Sequence, residues 1–197
     1  EAIPSRFGLD WPNHPTQQAT MTAAFLLSRA LLKFQSDDDD LLRELSAIAR
    51  TPDGNLWVGS DEYLTLERLS PMGAGVYGAH QPFHLNDFLT LAGDESEIDI
   101  EGLDYADGYL WVVGSHSLKR GNVKGKNIAK DIARLAKIKR DNNRFLLARL
   151  PVLNGEIVPT CATTEDNTPL TAASLQTVDH HNQLMDVLLD DEHIGPF

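Results

Sequence analysis

Residues 45–62, LSAIARTPDGNLWVGSDE, and residues 100–117, IEGLDYADGYLWVVGSHS, follow one plan. Each runs from a short apolar strand into an Asp-Gly turn, Asp53-Gly54 in the first and Asp107-Gly108 in the second. Leu-Trp-Val then opens a second strand that ends in a small polar cluster. Asp-Gly between apolar runs is a strong hairpin signal, because the tight turn needs positive φ, which glycine takes without steric cost. A chain that repeats such a hairpin is committed to β structure built in like units. Trp57 and Trp111 lie 54 residues apart, a little beyond the roughly 40–50 residues of a four-stranded propeller blade.

The residues after each hairpin extend the unit. LTLERLSP (64–71) and QPFHL (81–85) read as third and fourth strands, with glycine-rich MGAGVYG (72–78) as a loop between them. The second unit is interrupted: NIAKDIARLAKIKR (127–140) sets Ile128, Ile132, Leu135 and Ile138 at near-helical spacing, with Lys130, Arg134 and Lys137 on another face. That pattern predicts an amphipathic basic helix inserted into a β unit. RFLLARLPV (144–152) and GEIV (155–158) resume as strands, residues 160–180 are polar and irregular, and HNQLMDVLLDDE (181–192) reads as a short helix. FLLSRALLKF (25–34) is either a helix or the outer strand of a preceding unit. The expected fold is all-β: a partial β-propeller of two complete four-stranded blades, or two and part of a third, with the inserted helix and a short C-terminal helix. Residues 1–29 form an irregular N-terminal segment and 30–197 the incomplete propeller, with blades over 45–90 and 98–158 and the helical insertion over 122–141.

Composition excludes several classes. With 42% hydrophobic and 23% charged residues, the chain can close a soluble core. The single cysteine, Cys161, leaves no intramolecular disulfide and no thiolate metal cage, so nothing indicates an oxidising compartment and the expected location is cytoplasmic. The nearest approach to a membrane span, MTAAFLLSRALLKF (21–34), is too short, contains Arg29 and Lys33, and lacks a following small-residue cleavage site; no membrane association is expected. Charge is unevenly distributed. Residues 118–149 hold eleven Lys and Arg against Asp131 and Asp141, a local +9 within a chain of net −12, which leaves −21 elsewhere. Such a patch either neutralises its acidic host or binds an anion, and Lys130, Arg134 and Lys137 are the residues expected to meet a polyanion.

LSAIARTPDGNLWVGSDE, EIDIEGLDYADGYLWVVGSHSLKR and RFLLARLP resemble the bacterial family catalogued as domain of unknown function 3616 over about residues 30–197. That family resembles a β-propeller and implies no activity. Its members continue beyond HIGPF with a further blade motif, so the resemblance implies a fragment too short to close a ring. In a propeller the inner strand of each blade lines a channel, and the loops at one end of those strands form the binding face. DIEGLD (99–104) falls at such a strand, with Ile98, Ile100 and Leu103 giving apolar contacts and Asp99, Glu101 and Asp104 as acids that need a cation or a basic partner if buried. Its Glu-Gly pair also resembles the one that supplies a calcium-binding carboxylate in lactonase-type and phytase-like esterase propellers. The resemblance makes Glu101 a calcium ligand, and Asp61 and Glu62, at the equivalent end of the neighbouring blade, complete an oxygen set suited to Ca²⁺. The alternative is an ion pair of Glu101 with Lys119 or Arg120, or a backbone hydrogen bond.

The expected rim is therefore Asp61, Glu62, Glu101, Asp104, His116, Ser117, Lys119 and Arg120. A serine triad is not expected: Ser115 and His116 are adjacent strand residues that point to opposite faces, and no G-x-S-x-G occurs. SDDDD (36–40) lacks the glycine and distal glutamate of an EF-hand and reads as a solvated turn. His180, His181 and His193 lack zinc spacing, and GNVKGKN (121–127) lacks the Ser/Thr of a P-loop. Two function classes remain. One is a non-enzymatic propeller whose channel face holds a ligand or protein partner; the other is a Ca²⁺-dependent hydrolase of lactonase or phosphoesterase type, with a carboxylate as base. The binding module leads, because a fold alone does not license catalysis.

Overall fold

The computed structural model describes residues 29–35, 39–93, 98–162, 168–179 and 181–194, and these are mostly β. The first sheet comprises β1 (Leu31–Leu32), β2 (Leu45–Arg50), β3 (Leu56–Ser60), β4 (Thr65–Gly73) and β5 (Val76–His84), with helix α1 (Asp39–Arg43) between β1 and β2. Strands β2 to β5 lie side by side in chain order and antiparallel, and β1 joins β5 in parallel at the outer edge. Leu31–Leu32 is thus a strand, though of the first sheet itself and not of a preceding unit, while residues 1–28 of the expected irregular segment 1–29 fall outside the described residues. The second sheet uses β6 (Ile100–Ala106), β7 (Tyr109–Gly114), β10 (Leu147–Leu153) and β11 (Glu156–Ile157), again antiparallel in chain order. Between β7 and β10 the chain leaves the sheet through β8 (Lys119–Arg120), α2 (Ile128–Ala136) and β9 (Ile138–Lys139). After β11 come a two-stranded ribbon, β12 (Thr160–Ala162) and β13 (Pro169–Thr171), then β14 (Ala173–Ser174) on β10, and helix α3 (Gln183–Asp190). Among the described residues no helix is long and apolar enough to cross a membrane.

The two Asp-Gly pairs make different turns. Ala106 faces Tyr109 across a two-residue turn in which Asp107 and Gly108 both have positive φ, 52° and 82°, the geometry that the right-handed strand twist favours. In the first hairpin Arg50 faces Leu56, so five residues form the turn, and of the Asp-Gly pair only Gly54 is left-handed (φ 91°). There Asp53 acts through its carboxylate, accepting hydrogen bonds from Thr51 Oγ1 (2.5 Å) and Asn55 Nδ2 (2.8 Å). Residues 72–78 correct one expectation: β4 and β5 run on through this segment and turn only at Ala74-Gly75. Gly75, with φ 69°, makes the turn, whereas Gly78 lies within its strand, directly across from Ser70 and close under the Met72 side chain. Residues 160–180 also carry short strands where none was expected.

Strand alternation builds the core. In β3, Leu56 and Val58 point to one face with Leu69, against Leu32, Phe34, Leu45 and Tyr77, whereas Trp57 points to the other. Trp57 is fully buried with Leu66 and Phe83 of its own sheet and Ile100, Leu110, Val112 and Leu150 of the second. The same triplet in β7 keeps the same sense: Leu110 and Val112 face back into the shared core, and half-buried Trp111 faces onward. The second sheet therefore covers the tryptophan of the first.

Candidate functional site

The edge strands β2 and β6 lie against each other without forming a ladder. Ser46 Oγ donates to the Ile100 carbonyl across this junction. At the end of β3, a Cβ on Gly59 would stand 2.7 Å from Ile100 Cγ2, so only glycine allows the sheets to approach this closely. Ile100 in turn faces Gly114, the last residue of β7. These contacts put the residues after β3, Asp61 and Glu62, at the same end as Ser115, His116 and Ser117 after β7; His116 and Ser117 follow Gly114-Ser115 as Asp61 and Glu62 follow Gly59-Ser60.

At that end an ion pair organises the second sheet. Asp99 is 7% exposed, with φ 60°, and its carboxylate pairs with Arg144 in the 3₁₀ turn Asn142–Phe145. Arg144 also donates from Nε to Ser115 Oγ (3.2 Å) and from a terminal nitrogen to Ser117 Oγ (3.1 Å). Ser117 Oγ donates onward to Ser115 Oγ (3.0 Å). The backbone N–H of Ser115 donates to the Asp99 carbonyl, and that of His116 to the Arg144 carbonyl. The His116 ring packs edge-on against Phe145, and its Nδ1 lies 2.9 Å from the Gly114 carbonyl, so Nδ1 is the protonated nitrogen. The two hydroxyls are thus ordered by a guanidinium and no imidazole is bonded to them, which is not a nucleophile–base arrangement. Gly114 is the tight point: an added Cβ would sit 2.5 Å from the Arg144 carbonyl oxygen. Gly114→Ala is expected to cost about 1–3 kcal/mol in urea unfolding, since the obstructing atom is backbone and cannot swing aside.

Glu62, Glu101, Asp104 and Ser117 are exposed, and Asp61, His116 and Lys119 half-buried. Asp104 accepts the N–H of Tyr105 (2.8 Å). Among the described residues no three His, Cys, Asp or Glu side chains are gathered so as to hold a metal ion. Lys119 and Arg120 stand elsewhere, in the β8–α2–β9 excursion. Arg120 donates to the Leu135 carbonyl at the end of α2 (3.0 Å). His181 pairs with Asp186 (3.2 Å) and His193 is exposed. Beyond α3, Asp191 accepts the N–H groups of His193 and Ile194, and these bonds hold its carboxyl below the ordinary range.

Asp99, Arg144 and Asp131 are the residues that sequence reasoning undervalued. Asp99 was one of three acids in a strand, and Arg144 one of eleven basic residues; only the fold joins them across 45 positions. The family described as “Protein of unknown function (DUF3616)” matches residues 44–197. The chain belongs to this family. The match spans β2 to β14, the excursion included, and α3. No curated protein and no solved structure matches the chain.

Proposed function

We propose that this DUF3616 chain is a ligand-binding module of stacked propeller blades, whose site is the common strand end carrying Asp61, Glu62, Glu101, His116 and Ser117. One observation carries the reading: Asp61 Oδ1 and His116 Nε2 are both buried and both lack a hydrogen-bond partner, and each follows the Gly-Ser pair of its repeat, Gly59-Ser60 and Gly114-Ser115. Buried polar atoms left unpaired destabilise a fold, so their recurrence at equivalent places calls for an outside partner. Asp61 Oδ1 is an acceptor, and with Nδ1 protonated so is His116 Nε2. The ligand they select presents donors, hydroxyl or ammonium groups. Blade stacking is supported by the onward-facing Trp111, which with Leu147 lines two shallow apolar hollows on the far side of the second sheet.

Thermal-shift measurements with a panel of sugars, polyols and polyamines test the site. A donor-rich member is expected to raise the melting temperature of the wild type, with no shift in Asp61→Ala. The ligand-free variant should itself melt no lower than wild type, because an unpaired buried acceptor has been removed. Equal shifts in both proteins, or none in the wild type, would overturn the proposal.

A further inference from the structure

The excursion between β7 and β10 contains a second site with chemistry opposite to that of the strand ends. Strands β8 and β9 pair so that Lys119 stands directly across from Lys139, although like charges facing each other across a ribbon are destabilising. With the loop after β8 and the end of α2 they enclose a cleft of about 330 Å³, lined by Lys119, Arg120, Lys124, Arg134, Lys137 and Lys139 together with Gly121 and Asn122. No carboxylate lines it. The helix is held by a buried acid of its own: Asp131, 7% exposed, accepts the N–H groups of Lys124 (3.1 Å) and Gly125 (3.0 Å) and pairs with Arg134 (2.5 Å). Gly121 lets the loop lie on the helix end, since a Cβ there would be 2.9 Å from the Arg134 carbonyl oxygen. Asp131 thus fixes the backbone of the Lys124 loop, while Lys124, Lys137 and Lys139 keep exposed ammonium groups with no ion pair among the described residues.

We infer that this cleft binds a compact, multiply charged anion of the phosphate class. Six cations surround a small concavity; Arg134 is paired with Asp131, while Lys124, Lys137 and Lys139 have no ion pair among the described residues, and these match several negative oxygens in one place, as a diphosphate or triphosphate group presents them. The volume lies at the lower end of small-ligand sites. An extended nucleic acid fits less well: residues 117–141 contain no Phe, Tyr or Trp on which a base would stack, and the chain outside residues 118–149 carries −21, which repels a long polyanion. The fold also separates basic residues that the sequence groups together, because Lys137 lines the cleft and Lys130 does not.

That separation supplies the test, using isothermal titration of the full chain with inorganic tripolyphosphate. Saturable one-to-one binding is expected, weakened at least about tenfold by Lys137→Glu with Lys139→Glu, and little changed by Lys130→Glu, an equal change in charge per residue outside the cleft. All the substituted lysines are exposed, and matching circular-dichroism melts would verify that each variant folds. Absence of saturable binding, or equal weakening per charge by Lys130→Glu, would overturn the site. Retention on heparin or single-stranded DNA without tripolyphosphate binding would overturn the compact-ligand assignment as well.

Discussion

Arg144→Met is expected to lower the free energy of unfolding by about 3–5 kcal/mol, the cost of leaving a buried charge without its counter-ion. Asp99 is buried with φ 60°, a conformation in which few residues other than glycine rest easily, and Arg144 neutralises its carboxylate. The same guanidinium orders Ser115 and Ser117, so its loss also frees the chain after β7. Asp99→Asn removes the other charge and should cost less, because the guanidinium keeps its serine bonds and, at 13% side-chain exposure, some access to water. The double variant Asp99→Asn/Arg144→Met is expected to be more stable than the sum of the two single losses implies, by on the order of 1–3 kcal/mol. Urea unfolding of the four proteins measures this coupling. Strict additivity would show that the pair contributes nothing as a pair.

The second large effect separates the two repeat tryptophans. Trp57→Ala is expected to cost about 3–5 kcal/mol, since its side chain is fully buried among residues of both sheets and packs at 5.1 Å from the Phe83 ring. Trp111→Ala, at the matching position of the second unit, should cost less than half as much. Its ring is half-buried and meets mainly Tyr109, at 6.1 Å between centroids. The comparison tests the directional stacking described above, because the difference comes from what covers each ring. Similar losses for the two variants would mean that Trp111 is already covered in this chain, and would remove the surface assigned to a further blade. The destabilisation of Trp57→Ala should also extend to the second sheet, seen as faster hydrogen exchange of β7 amides, since Trp57 joins the sheets.

A smaller tie between the sheets runs through Arg68. It donates to the Gly155 carbonyl (2.5 Å) in the Asn154-Gly155 turn and to Gln81 Oε1 (2.6 Å), and lies over the Phe83 ring. A Cβ on Gly155 would stand 2.7 Å from both Asn55 Nδ2 and Asp53 Oδ2. The first turn of one unit is therefore fitted to the last turn of the next, and both depend on glycine.

Much of the fold was legible in the sequence because it rests on local and periodic constraints. Asp107-Gly108 and Leu110-Trp111-Val112 specify a turn and a two-faced strand in any context, since positive φ and a period of two are properties of the backbone itself. The spacing of Ile128, Ile132 and Leu135 likewise predicts α2, although these side chains remain largely exposed and the residue that α2 buries is Asp131. The helix period was readable, but which face is covered depends on a loop folded against it. Other features required the tertiary structure. The glycines of 72–78 look like one loop from composition, and only the strand pairing shows that the turn is confined to Ala74-Gly75 while Gly78 lies within β5. Glu101, Asp61 and Glu62 share the acidity expected of a calcium rim, but a metal site depends on convergence in space, which sequence adjacency does not report. Lys130 and Lys137 are equivalent in a count of charges and differ once β8 and β9 pair. What the sequence by itself determined was the units: hairpins, strand faces and a repeated tryptophan, each set by interactions within a few residues. Only the tertiary structure decided which polar groups found partners, because Asp99 with Arg144 and Arg68 with Gly155 are joined by sheet packing across distances along the chain that no local pattern records.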